Sequence, residues 1–364
     1  MLIYYDVFAL SALFAYIAEK KSLKRGKSII FWILAIVVPS ILAGMRAETV
    51  GTDTSGYIKE IFDMCKNGVD WKIIIGAYQC EIGYYMINYI VSLITGSFQI
   101  FLFVVQILIL GPVAIACKNN ADVAEPYLSY LFFLILFYNR SLNMCRQSIA
   151  IAICMASVTF IRKQKFFKFI GCILIAITIH RIAFIFIPVY FIFVFLKRKE
   201  QIIYKFLLCA IALSGIVFYQ SIVNKLISIG YMSSHYLYYA NGGKQNISTI
   251  EFLLKIFLVI LTLFVSKVLN KKNSINSIFS FLLVLDLLVY CLGFYANYAQ
   301  RISYYIGFFV VFIIPQIPRC MKKNQKLLSL VALLMVAVIF SYYYYGVSGC
   351  DGTVPYRIVQ GDQL

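Results

Sequence analysis

Twelve long apolar segments, cut apart by charged residues and turn formers, leave this chain few ways to fold. They span about 1–18, 28–45, 97–117, 127–142, 144–161, 166–180, 182–196, 202–220, 250–268, 276–294, 302–318 and 327–345. The sequence is 62% hydrophobic and only 13% charged, where soluble domains hold roughly 45–50% and about 25%. Most of its surface must therefore face lipid rather than water. Segments of this length suit helices crossing a hydrocarbon core of roughly 30 Å. Backbone groups facing lipid must pair within their own segment, and no alternating strand pattern occurs, so helices are the expected form. The expected fold is an all-α polytopic membrane protein of about 12 transmembrane helices, with residues 1–364 forming a single transmembrane domain.

Residues 83–95 are the exception. Glu81 precedes this short apolar stretch, and counting it as a crossing would invert every later loop against the charge pattern, so it is expected to be a re-entrant or surface-lying helix. A thirteenth crossing stays open. No soluble domain, repeat or low-complexity linker interrupts the chain. The largest polar pieces are two outer loops, 46–82 and 221–249, and an outer C-terminal tail, 346–364.

A net charge of +18 in a soluble protein would point to nucleic acid. Here topology accounts for it, and no nucleic-acid partner is expected. With the N-terminus outside, six short inner loops hold 21 of the 33 basic residues, as the positive-inside rule requires. Both chain ends are then expected outside, and no removable signal peptide is expected at the start. Five arginines, Arg46, Arg140, Arg146, Arg181 and Arg301, fall on the outer side, the side that usually lacks cations, and form a candidate anion site.

Asn143, Arg146, Gln147 and Ala150 follow i, i+3, i+4, i+7 spacing and are expected to form one polar stripe at the outer start of the helix over 144–161. The competing reading has Arg146 snorkelling to the interface. The first outer loop, Arg46 to Tyr57, carries two glycines, three threonines and Asp53 in a turn-rich stretch suited to polar contacts at a helix end. His180 beside Arg181 would have its pKa lowered, leaving a neutral base near neutral pH. The tyrosine-dense second loop with His235 suits either sugar stacking or an interfacial aromatic belt. Asp286, near the middle of its helix, would cost about 2.5 kcal/mol or more if left ionised and alone; it needs a proton or a basic partner. Cys65 and Cys80 share the first outer loop and could pair in an oxidising compartment. The remaining cysteines are scattered with no histidine cluster, so no metal site is expected. Motifs for nucleotide hydrolysis, zinc proteolysis and serine hydrolysis are absent from the sequence.

With these residues in view, the chain resembles the EpsG branch of the Wzy-like polysaccharide polymerases, bacterial membrane proteins of O-antigen and exopolysaccharide assembly. The marks, in order, are Arg46 with Gly51-Thr-Asp-Thr54 and Tyr57; Glu81-Ile-Gly-Tyr84; Asn143 with Arg146-Gln147 and Ile149-Ala150; His180 followed by Ala183; Arg301 with Tyr304 and Tyr305; and Pro355-Tyr356. One departure is Ile182, where such families often place a small hydroxyl residue. The resemblance implies a C-type glycosyltransferase membrane bundle in the bacterial cytoplasmic (inner) membrane with its active site facing outward. It also implies glycosyl transfer between polyprenyl-pyrophosphate-linked oligosaccharides, with a chain-length regulator and a flippase as partners. In this reading Arg46, Arg146 and Arg301 meet pyrophosphate, with Arg181 helping and Arg146 acting in catalysis. His180 or Asp53 accepts the hydroxyl proton, and Gln147, Glu81 and Tyr57, beside Asn143, position sugars. An activated donor requires no cofactor. A divalent metal is not required either, although Glu48, Asp53 and Glu81 could hold one. Arg140 lacks such support and is left to snorkel. The rival expectations are a transporter or flippase for lipid-linked glycans, with Asp286 coupling protons, and a lipid-linked-glycan ligase or acyltransferase.

Overall fold

The structure is a computed structural model of the chain that describes residues 1–20, 23–198, 202–231 and 247–359. Residues 232–246, with His235 and most of the tyrosine-dense loop, and residues 360–364 of the tail lie outside the described residues. The protein is an all-α polytopic membrane protein. Each of the twelve apolar segments falls on helical structure. Among the described residues seven helices are long and apolar enough to cross a membrane, or eight if the bent pair Ile202–Val217 and Tyr219–Ser228 is one span. The others are shorter or more polar. The segment 221–249, expected as the second outer loop, begins within the helix Tyr219–Ser228, which turns by 69° from the helix before it.

Two compact units make up the chain. The first, Met1–Phe184 with Leu327–Leu364, contains α1 (Leu2–Ala18), α2 (Arg25–Gly44), α3 (Lys59–Lys66), α4 (Trp71–Tyr78), α5 (Ile82–Ile94), α6 (Phe98–Asn119), α7 (Pro126–Asn143), α8 (Cys145–Arg162) and α9 (Phe166–Ile179). Helix α1 packs on α2 and α7, α2 on α6, α6 on α8, and α8 on α9. Small side chains bring them close: Ala12, Ala15, Ala35 and Ala43 are buried, and the Ser11 hydroxyl donates to the Ala35 carbonyl across α1 and α2 at 2.6 Å. The opposite face of α2 exposes Ile29, Ile30, Ile33 and Ile41, an apolar stripe suited to lipid. Helix α5 runs 13 residues, short of the roughly 20 a crossing takes. It turns Met86, Ile90, Leu93 and Ile94 outward while burying Tyr84, Asn88 and Val91. Residues 46–82, expected as the first outer loop, contain two helices, α3 and α4.

The second unit, Ile185–Lys326, holds α10 (Ile187–Arg198), α11 (Ile202–Val217) and α12 (Tyr219–Ser228) and centres on α13 (Thr249–Lys272) packed against α14 (Ile275–Tyr290). Ser248 caps α13, its hydroxyl accepting from the Glu251 N–H at 3.3 Å, which is the Ser-x-x-Glu signature of a helix start. Residues 299–320 advance in short helical turns, and Phe279 packs on Phe309 and Phe312 to close the unit's core.

Candidate functional site

The helix end at Met144 decides where the polar residues go. Its ψ of 56° stops α7 at Asn143, and α8 begins at Cys145. The single stripe expected from Asn143 to Ala150 is therefore divided. Helical periodicity holds only within a continuous helix, and Asn143 and Arg146 serve different neighbourhoods.

Asn143 is buried, and both ends of its amide are engaged. Its Oδ1 accepts from the Thr52 hydroxyl at 3.1 Å and from the Asp53 N–H at 2.8 Å, while Nδ2 donates to Asp351 Oδ1 at 3.1 Å. The turn it holds requires Gly51, whose φ is +99° and whose added Cβ would sit 2.5 Å from Thr54 Oγ1. Arg46, at the end of α2, is 1% exposed. One of its terminal nitrogens donates to the Leu142 carbonyl at 2.7 Å, and its Nε is buried without a hydrogen-bond partner. No carboxylate pairs with Arg46 among the described residues. The chain's C-terminal segment covers it: residues 46 and 358 form an antiparallel bridge, and the Tyr356 hydroxyl donates to the Leu42 carbonyl at 2.8 Å. Burial pushes the Tyr356 hydroxyl up to about 12, with Arg46 pulling the other way, so this phenol stays a neutral donor at physiological pH.

Arg140 does not snorkel. It is 5% exposed, donates to the Tyr344 hydroxyl at 2.9 Å, and lies 3.9 Å from the Asp351 carboxylate. The residues that hold it there come from the far end of the chain.

Glu81, at the N-terminus of α5, joins Arg146 and Arg181. Its Oε2 accepts from Arg146 at 2.8 Å, and its Oε1 accepts the Arg181 backbone N–H at 2.9 Å and the Arg181 Nε at 3.3 Å. Arg146 also donates to the Gln79 carbonyl at 3.1 Å and stands 5.3 Å from the Tyr57 ring centre, while Tyr57 stacks on Tyr84. Gly83 makes the meeting feasible. A Cβ there would lie 2.5 Å from Thr178 Oγ1 and 2.7 Å from the Thr178 carbonyl oxygen, so only glycine lets α5 approach the end of α9, where His180 and Arg181 follow. His180 and Gln147 are both buried, at 8% and 6% exposure. Glu81, expected to position a sugar, has both carboxylate oxygens on arginine donors. Cys65 and Cys80 are buried free thiols, and burial lifts Cys80 to about 11. Glu48, considered for a metal, lies 2.6 Å from Lys59. Among the described residues no three His, Cys, Asp or Glu side chains group as metal ligands.

In the second unit Arg301 lies in the turn Ala299–Ile302, with its guanidinium 4.4 Å from the Tyr298 ring centre. Asp286 has a basic partner that the sequence did not single out: Lys255 of α13, with Nζ 2.5 Å from Oδ2. One turn earlier, buried Glu251 accepts from the hydroxyls of Tyr290 at 3.3 Å and Tyr304 at 3.4 Å. The Ser248-x-x-Glu251 pattern was the available signal for Glu251, whereas Lys255 sits in an otherwise apolar run. Asp351 also went unrecognised, although it stands in a Gly-Cys-Asp-Gly turn.

A family model described as the EpsG family matches residues 29–358, which takes in every one of the residues above. No curated protein and no solved structure matches the chain.

Proposed function

Because the chain belongs to the EpsG family, we propose that it is a polysaccharide polymerase: a glycosyltransferase that joins polyprenyl-pyrophosphate-linked repeat units on the outer face of the bacterial cytoplasmic membrane. The observation that carries this reading is the supply of guanidinium groups within the first unit. Arg46 is buried with no ion-pair partner among the described residues, and Arg146 and Arg181 share one carboxylate. Such a set suits a ligand that gathers negative charge as it leaves. A departing pyrophosphate does so, and preorganised guanidinium groups stabilise that charge more in the transition state than in the ground state.

In the proposed step an acceptor hydroxyl attacks the anomeric carbon of the donor glycan, and the carbon–oxygen bond to the polyprenyl pyrophosphate breaks. Arg46 and Arg146 meet the pyrophosphate, with Arg181 assisting. Arg301 is assigned to pyrophosphate binding on its family motif alone. Asp53 or His180 takes the hydroxyl proton, while Gln147 and Tyr57 shape the sugar-binding surface and Asn143 holds the turn that carries Asp53. Glu81 sets the spacing of Arg146 and Arg181. The transport alternative leaned on Asp286 as a proton carrier. The lysine beside that carboxylate favours a structural counter-ion instead.

Purified protein supplied with polyprenyl-pyrophosphate-linked oligosaccharide from the membranes in which the chain is made should lengthen the glycan. Arg146→Ala should abolish long polymer while leaving membrane insertion intact. Normal chain length in that variant would overturn its assignment; transfer of a single unit, acylation or simple translocation by the unaltered protein would overturn the polymerase reading.

A further inference from the structure

The C-terminal segment reaches the neighbourhood of Asp53 with its own carboxylate, and the chemistry of that contact is directional. An asparagine amide presents an acceptor on one side and a donor on the other, and its orientation follows from its partners. The Asp351 carboxylate, when ionised, only accepts. It takes Nδ2 of Asn143 at 3.1 Å, which turns the amide oxygen toward the Thr52 hydroxyl and the Asp53 N–H. Asp351 is itself firmly held. Its φ is +66°, in the left-handed region that aspartate tolerates better than most residues. Its carbonyl accepts from the Thr52 N–H at 3.2 Å, and the neighbouring Thr353 hydroxyl oxygen accepts from Asn139 Nδ2 at 3.1 Å.

We propose that Asp351 is a positioning residue, orienting the Asn143 amide and through it the turn that carries Asp53. The C-terminal segment is thus part of the site rather than an appendage to it. The effect on turnover rests on the reading of Asp53 as a group in the chemistry; the effect on the turn does not.

The polarity of the contact supplies the test. In Asp351→Ala, amide hydrogen exchange at Asp53 should quicken about tenfold, the loss expected for one hydrogen bond near a charged group, while exchange in α6 stays unchanged. Asn143→Asp alone should do the same, because two carboxylates then face each other. The double variant Asn143→Asp with Asp351→Asn restores an acceptor toward the turn and a donor toward it from position 351, so exchange at Asp53 should return to within about threefold of the original. Turnover of the membrane-derived lipid-linked oligosaccharide should fall in both single variants through kcat, with KM little changed, and recover in the double. Unchanged exchange at Asp53 in Asp351→Ala overturns the proposal whatever the activity, as does acceleration spread evenly through the first unit. Local acceleration that the double variant reverses, with turnover at the original level throughout, upholds the positioning and removes Asp53 from the chemistry.

Discussion

In the first unit one carboxylate, Glu81, meets the guanidinium groups of Arg146 and Arg181, whereas in the second the Asp286 carboxylate meets a single ammonium, Lys255. Two cations share the one carboxylate in the first set; in the second a single cation meets Asp286, with the Glu251 carboxylate one turn before Lys255. The two carboxylates are equally shielded, their side chains 7% and 6% exposed, so the difference lies in how many cations each one meets. A one-to-one pair inside a membrane protein fixes two helices against each other, here α13 and α14. Two guanidinium groups brought together on one carboxylate hold several planar donors at fixed spacing, the arrangement that recognises a phosphate group, and that is why the first unit, not the buried aspartate, carries the functional proposal.

The comparison breaks most visibly at Lys255. Lys255→Met leaves Asp286 facing apolar surroundings, and removal of one partner from a buried pair costs about 3–5 kcal/mol. A large drop in the melting temperature of the detergent-solubilised protein is expected. Replacing both residues, Lys255→Met with Asp286→Leu, should restore most of the loss and retain polymer formation. If the double variant melts normally but makes no polymer, the pair does more than hold helices, and the contrast with the Glu81 set fails.

Gly83 tests the other half of the comparison. An added methyl group would meet the Thr178 backbone carbonyl at 2.7 Å, and backbone cannot rotate away as a side-chain end can. Gly83→Ala should part α5 from α9 and draw Glu81 off the Arg181 N–H, at about 1–3 kcal/mol as for other overpacked contacts. Turnover should fall more than stability, since the spacing of two arginines depends on it. A variant with full turnover and a lowered melting temperature would show that Glu81 packs the helices without setting the arginines.

Why the sequence revealed some of this and not the rest follows from the range of each interaction. Apolar length and positive loops act locally, so the helices over all twelve segments were legible. Arg46, Asp53, Asn143, Glu81, Arg146 and Arg181 were each recognisable as polar residues beside apolar segments. Their pairing was not, because Glu81 lies 65 residues before Arg146 and 100 before Arg181, and no spacing rule spans such separations. Asn143 was misplaced because periodicity assumes an unbroken helix, and Met144 breaks it. Arg140 was misread for the same reason of range: the side chain that keeps it from solvent, Tyr344, follows 204 residues later. For Asp286, energetics required a partner but could not choose among the lysines.

The smallest effect sets the baseline for both buried sets. Lys59 and Glu48 lie 2.6 Å apart with side chains 32% and 23% exposed, and pairs this open to water contribute about 0.2–1 kcal/mol. The hydrogen bond that Lys59 donates to the Glu48 carboxylate raises its ammonium above the ordinary 10.5. The sign follows from linkage: a base whose pKa is raised on folding contributes stability that is fully present below its unfolded value and is lost as pH climbs through the folded one. From pH 7 to 9 Glu48→Gln should therefore lower stability by a small, pH-independent amount, with the difference fading only above about 10.5. The difference should also shrink at 1 M salt, where charges are screened over roughly 3 Å. Thermal melting of the two proteins across pH and salt checks this. A loss as large as that at Lys255 would mean that burial of the carboxylate, 6–7% exposed at Asp286 and Glu81 against 23% at Glu48, does not separate this pair from the other two, and the comparison would have to be drawn on geometry instead.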